Sequence, residues 1–154
     1  MSTVRLRHLR RAGVLLLVLA ATACAAGMVG PLPRVADPGN AATIHVIREP
    51  ALYGVTMAFR VTLDGEEVFD IRNHQNAMVR VTPGKHRVEV KCFGGVAPVV
   101  QTNGGEYEIA KDRPNYFIVS GHVIMCATLR EGTPQEAQAL LRDSERLELS
   151  ALAK

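Results

Sequence analysis

The run V55-T-M-A-F-R-V-T-L63 is followed by D64-G65-E66-E67 and V68-F-D-I71, and then by V79-R-V-T-P83-G84-K85-H86-R-V-E-V-K-C92. In the first run Val55, Met57, Phe59, Val61 and Leu63 share one side of a two-residue period, and Thr56, Ala58, Arg60 and Thr62 the other. Side chains alternate faces along a strand, so this pattern predicts a strand with one buried face. Asp64-Gly65 offers a residue that tolerates positive φ and one without penalty for it, which suits a tight hairpin. Pro83-Gly84 supplies a second turn before the alternating Val88, Val90 and Cys92. These two turns, at Asp64, Gly65, Pro83 and Gly84, are the structural signals around which the rest is read.

Outward from this centre the strand signals continue. Thr43 to Arg48 reads as the first strand, ended by Glu49-Pro50, and Ala51 to Gly54 as a loop. Arg72 to Asn76 is polar and turn-like, and Ala77 to Val81 a short strand. After Phe93 the pattern weakens. Gly94-Gly95, Pro98 and Gly104-Gly105 break the stretch, leaving part of it as an edge strand, since Pro98 is disfavoured in a central one. Tyr107 and Ile109 begin another strand. Tyr116 to Leu129 is nearly all apolar and too long for one ordinary strand, so Gly121 is expected to divide it or to mark a bend or bulge. The period then changes. Thr133-Pro134-Gln135-Glu136 is a capping box with Pro at the first helical position, and Ala137, Leu140, Leu141, Ser144 and Leu147 recur at helical spacing. The expectation is a helix over about 134–148, its apolar face docked on a sheet.

The first 23 residues differ from the rest. They hold Arg5, Arg7, Arg10 and Arg11 and no Asp or Glu. Four of the 18 Lys and Arg therefore fall here, and 14 remain against 15 Asp and Glu, a net charge of −1. A near-neutral body has no broad footprint for phosphate backbones, so nucleic acid is not an expected partner. The apolar run from Ala12 to Ala21 is about 15 Å long as a helix, half a hydrocarbon core, which reads as the h-region of a signal peptide rather than a span. Ala20-Ala21-Thr22-Ala23-Cys24 resembles the lipobox of bacterial lipoproteins, although Ala21 stands where Leu is usual. That resemblance implies cleavage before Cys24, acylation of Cys24 and attachment to a membrane by its lipid. Ala21-Thr22-Ala23 also fits a general signal peptidase site, the alternative reading. By the same resemblance, to enterobacterial lipoproteins in which Asp after the cysteine favours inner-membrane retention, Ala25 implies the outer membrane, facing the periplasm, in a host with that sorting system. Residues 25–42, with three prolines and three glycines, read as a flexible tether. The division expected is signal peptide 1–23, lipidated Cys24 and tether 24–42, domain 43–148 and tail 149–154.

Three cysteines leave one unpaired in an exported protein, and acylation of Cys24 resolves the parity. Cys92 and Cys126 then form a disulfide, remain two buried thiols or form a reactive pair; an oxidising compartment permits the first. No catalytic, metal or cofactor constellation stands out. His45, His74, His86 and His122 have no tight ligand spacing, and no C-x-x-C or G-x-S-x-G is present. Asp64, Glu66, Glu67 and Asp70 form an acidic cluster at a hairpin, read as a solvated turn rather than a cation site.

The pattern V-T-L-D64-G65-E-E-V-F-D-I, followed by V-R-V-T-P83-G84-K85-H86-R-V-E-V, resembles a family of bacterial lipoproteins with a domain of unknown function. That domain is related to PEGA-like and prealbumin-like β-sandwiches. Gly104-Gly105-Glu106-Tyr107 and Tyr116 to Val119 resemble the family's Gly-x-x-Tyr-Tyr-hydrophobic strand, at longer spacing. The resemblance covers about Ile44 to Glu148 and brings no catalytic residues. The combined expectation is a mostly β protein, a small antiparallel β-sandwich of about seven or eight strands with one C-terminal amphipathic helix. Its expected role is a non-enzymatic binding or scaffolding module on an envelope membrane, contacting an envelope protein or the cell wall. The alternative is a carrier of a small apolar ligand between helix and sheet, and an uncharacterised enzyme comes third.

Overall fold

Strand alternation and turn chemistry together build two stacked sheets. The computed structural model describes residues 27–92, 101–123 and 126–149. In chain order they form β1 Ala42–Arg48, β2 Phe59–Leu63, β3 Glu66–Ile71, β4 Gln75–Val81, β5 Gly84–Cys92, β6 Gln101–Ile109, β7 Asn115–His122, β8 Cys126–Glu131, α1 Pro134–Asp143 and β9 Glu145–Arg146. One sheet has the order β3-β2-β5-β6 and the other β8-β7-β1-β4-β9. Both contribute an apolar face to a shared core in which Phe59, Phe69 and Phe117 are fully buried. Each such side chain contributes about 1.5–3 kcal/mol.

The Asp64-Gly65 hairpin forms as its chemistry dictates. Both residues have positive φ, 53° and 87°, the pattern of a primed two-residue turn that matches the twist of its strands. A bulge between Val61 and Thr62 lets Val61 face Phe69 while Thr62 faces Glu67, so Val68 and Phe69 are both buried although consecutive. Pro83-Gly84, with Gly84 at φ 128°, carries the chain from one sheet to the other rather than closing a hairpin.

The four-stranded sheet is antiparallel throughout. The five-stranded one is mixed, because β1 runs parallel to β7 and β9 parallel to β4. The expectation of a wholly antiparallel sandwich is corrected to that extent. Thr133 caps α1 by accepting from the Glu136 amide, and the helix packs on β1 and β7. Ala137, Ile47 and Ile118 are all buried, so β1 and β7 are covered on both faces.

Five sequence expectations are revised. The strand expected from Val55 begins at Phe59, because Gly54 and Met57 give their carbonyls to a buried arginine described below. Gly104-Gly105 lie inside β6 instead of breaking it. A side chain at Gly104 would strike the Val88 carbonyl and come within 2.7 Å of Glu89 Cα, so glycine is what lets β5 and β6 approach. The Tyr116 to Leu129 run does form two strands, but Gly121 lies inside β7, which runs to His122 before β8 starts at Cys126. The helix stops at Asp143 rather than near residue 148. Ser144 Oγ accepts from Asn76 Nδ2 at 2.9 Å, and the Glu145 and Leu147 amides donate to His74 and Asn76 carbonyls, so β4 captures the chain. Finally, the segment read as a tether lies on the sandwich from Gly27 onward. Val29 and Gly30 amides donate to the Val68 carbonyl, and Asp70 donates back to Gly27, which covers the outer edge of β3. The signal segment, Cys24 and the edge strand expected around Pro98 lie outside the described residues.

The glycine pair gives a sharp test. Gly104→Ala is expected to lower unfolding stability by about 2–3 kcal/mol, since strain and backbone contact coincide there. Gly105 has open space around its Cβ position, and Gly105→Ala is expected to fall within about 0.5 kcal/mol of wild type in the same urea titration. Equal effects at both positions would contradict the β5–β6 register.

Candidate functional site

The register gathers one end of the sandwich around Arg48. Phe59 pairs with Ile71 and Cys92, and Ile47 with Asn76 and Ile118. The Asp64-Gly65 hairpin marks the opposite end. Ile44, Val46 and Arg48 share the inward side of β1, so alternation itself drives an arginine into the interior. Its side chain is completely buried. Nη1 donates to the Met57 carbonyl at 2.5 Å and the Ile71 carbonyl at 3.1 Å, and Nη2 donates to the Gly54 carbonyl at 2.5 Å. The guanidinium lies 3.8 Å from the centre of the Phe59 ring, a cation–π contact in a desolvated setting. Nε alone makes no hydrogen bond. Burial pushes the Arg48 pKa down to about 10, so the group is a cation at neutral pH, held by carbonyl dipoles and an aromatic face.

The consequence is a fixed loop. Residues 50–58 contain no strand, yet two of their carbonyls are tied to the interior. Gly121 completes the seat, because a Cβ there would meet the Tyr53 carbonyl oxygen at 2.5 Å. The Cys92–Cys126 disulfide closes the same end, joining β5 of one sheet to β8 of the other with Cα atoms 6.1 Å apart. Its 34-residue separation is worth about 4 kcal/mol in the chain-entropy account. Leu129 of β8 also donates its amide to Asn103 Oδ1 of β6 at 2.7 Å.

The remaining candidate residues are structural in their contacts. Asp64 accepts from the Arg87 amide at 2.9 Å and lies 2.7 Å from His86 Nδ1, while His86 Nε2 lies 2.7 Å from the Thr82 carbonyl. Asp64 and His86 thus knit the hairpin to the inter-sheet turn. Glu67 and Asp70 are engaged by Arg60 at 2.9 and 2.8 Å, and Glu67 also by Lys91 at 3.1 Å. Lys91 and then Arg60 hold the Glu67 carboxyl below its ordinary range. Glu67 and Asp70 are therefore spent on a cross-strand ionic ladder and Asp64 on the turn contacts, and among the described residues no three His, Cys, Asp or Glu side chains are arranged to hold a metal. His74 sits exposed at φ 59° in the β3–β4 turn. His45 stacks beside Tyr116, with ring centres 5.1 Å apart. Burial, and then Arg146, lower its pKa.

Sequence reasoning missed Arg48, although the signal was present: in T43-I-H-V-I-R48 the arginine falls on the side of Ile44 and Val46. Arg48→Met keeps much of the volume and removes three hydrogen bonds to carbonyls, of which the Gly54 carbonyl still accepts from the Met57 amide. It is expected to cost about 3 kcal/mol and to speed chymotrypsin cleavage after Leu52 and Tyr53 in the otherwise folded protein. A loss under about 1 kcal/mol with unchanged cleavage would show that the guanidinium does not hold the loop.

No protein-family model, no curated protein and no solved structure matches this chain.

Proposed function

We propose that this chain is an envelope lipoprotein, anchored through an acylated Cys24 in the outer membrane and presenting a non-catalytic binding or scaffolding domain to the periplasm. The observation that carries the reading is the N-terminal order of charges, apolar run and Ala21-Thr22-Ala23-Cys24. The cysteine pairing supports it, because a Cys92–Cys126 disulfide suits an oxidising compartment and leaves Cys24 as the odd cysteine. The rival carrier reading needs an interior space. Among the described residues the void between the sheets is about 10 Å³, lined by side chains such as Val46, Val61 and Phe69, about the room of one water. Beneath α1, Ala137, Ile47 and Ile118 are all buried, and the pocket of about 160 Å³ at the start of the helix has Arg113, Asn115 and Glu131 in its lining, which does not suit an apolar ligand. Contact through surface loops and faces is therefore favoured over enclosure of an apolar ligand. The likeness to lipoproteins bearing prealbumin-like sandwiches agrees with this role.

Metabolic labelling with an alkyne-bearing palmitate, followed by intact-mass measurement of membrane-extracted protein, tests the anchor. The expected product begins at Cys24, carries acyl chains and loses its label in Cys24→Ser. A chain that is uncleaved, or that begins at Cys24 without acyl chains, would contradict the proposal.

A further inference from the structure

Among the described residues, the three most exposed large apolar side chains are Leu52 at 99%, Val123 at 72% and Val55 at 53%. All three belong to the Arg48 end. Leu52 and Val55 sit on the loop that Arg48 fastens, and Val123 follows β7 two residues after Gly121, against which the Tyr53 carbonyl is seated. Residues 50–59 contain no Asp, Glu, Lys or Arg. Scattered single apolar residues on a surface need no explanation, but a group confined to one end on an immobilised, uncharged loop does.

The described N-terminal chain begins at this same end. From Val29 back to Gly27 the chain advances along β3 from Val68 to Asp70, one residue short of Ile71, whose carbonyl receives Arg48. Cys24 is three residues upstream of Gly27, a reach of at most about 11 Å even fully extended. The headgroup layer on one side of a bilayer is itself roughly 5–7 Å thick. A lipid on Cys24 thus holds this end close to the membrane surface and leaves no length to turn the domain over.

We infer that the loop end of the sandwich docks directly on the lipid bilayer, with Leu52, Val55 and Val123 inserted at the headgroup–acyl boundary. This rests on the acylation of Cys24 proposed above. The side chains are strongly exposed, a form that suits a fluid apolar layer better than a knob-and-pocket protein contact. The fixed loop is preorganised, so insertion orders little additional chain. In this orientation the ionic ladder of Arg60, Glu67, Asp70 and Lys91 runs up the side of the domain, and the Asp64-Gly65 hairpin points away from the membrane.

The chain has no tryptophan, so a single introduced one reports its own depth. Leu52→Trp and, at the far end, Glu66→Trp would be prepared as membrane-extracted full-length product. Each would be reconstituted into phosphatidylethanolamine–phosphatidylglycerol vesicles with brominated acyl chains. Intact mass and flotation with the vesicles report the anchor independently of the fluorescence. With acyl chains present and protein floating, Leu52→Trp is expected to emit blue-shifted light at about half its intensity in unbrominated vesicles, as for a side chain about 5–10 Å inside the interface. Glu66→Trp is expected to be unquenched. Floating, acylated protein with an unquenched Leu52→Trp would overturn docking while leaving the anchor standing, as for a loop end covered by a protein. Equal quenching at both positions would overturn the orientation. Protein without acyl chains that fails to float would overturn the anchor and docking together.

Discussion

A buried cation without a carboxylate partner is the constraint from which the architecture of this molecule follows. A guanidinium removed from water must be surrounded by acceptors. Arg48 finds three backbone carbonyls, one on β3 and two on the loop before β2, and an aromatic face beneath it. Those carbonyls lie 6, 9 and 23 residues along the chain from Arg48. Satisfying one side chain therefore ties the β1–β2 loop, β2 and β3 together at the end where the sheets would otherwise splay. The disulfide secures the same end from the other side, through β5 and β8.

Much of this was legible in the residues. Period-two alternation and the Asp64-Gly65 and Pro83-Gly84 turns marked the central strands. The Thr133 to Glu136 capping box marked the helix start, and cysteine parity pointed to Cys92 and Cys126 among the open readings. What escaped was set by contacts distant in sequence. Val55 to Ala58 alternate as well as any strand, yet Arg48 claims the Met57 carbonyl and that of Gly54 just before them. Gly104 and Gly105 look like breakers, yet both lie within β6, and Gly104 is the clearance needed by a neighbouring backbone. Helical spacing carries on through Leu147, but β4 offers the chain after Asp143 a ladder, and pairing wins over the last weak turn. Local propensity cannot foresee which of two compatible local states a distant partner will reward.

The two termini share a second role. Gly27 to Gly30 cover the outer edge of β3, and β9 covers the outer edge of β4. An exposed edge invites pairing with another chain, so both coverings act against aggregation. They also make β-strand addition on this side an unsuitable mode of partner binding. The division between an apolar, fastened end and a charged, cross-linked face gives the domain a polarity along its length.

The central claim is that Arg48 holds the uncharged loop as part of the folded body. Amide hydrogen exchange over Glu49 to Met57 tests it most directly. The Glu49 amide donates to Val119 and the Met57 amide to Gly54, so both should exchange only as slowly as the sheet core opens. Exchange of Met57 at the rate of an unstructured peptide, while β2 and β5 stay protected, would contradict the account.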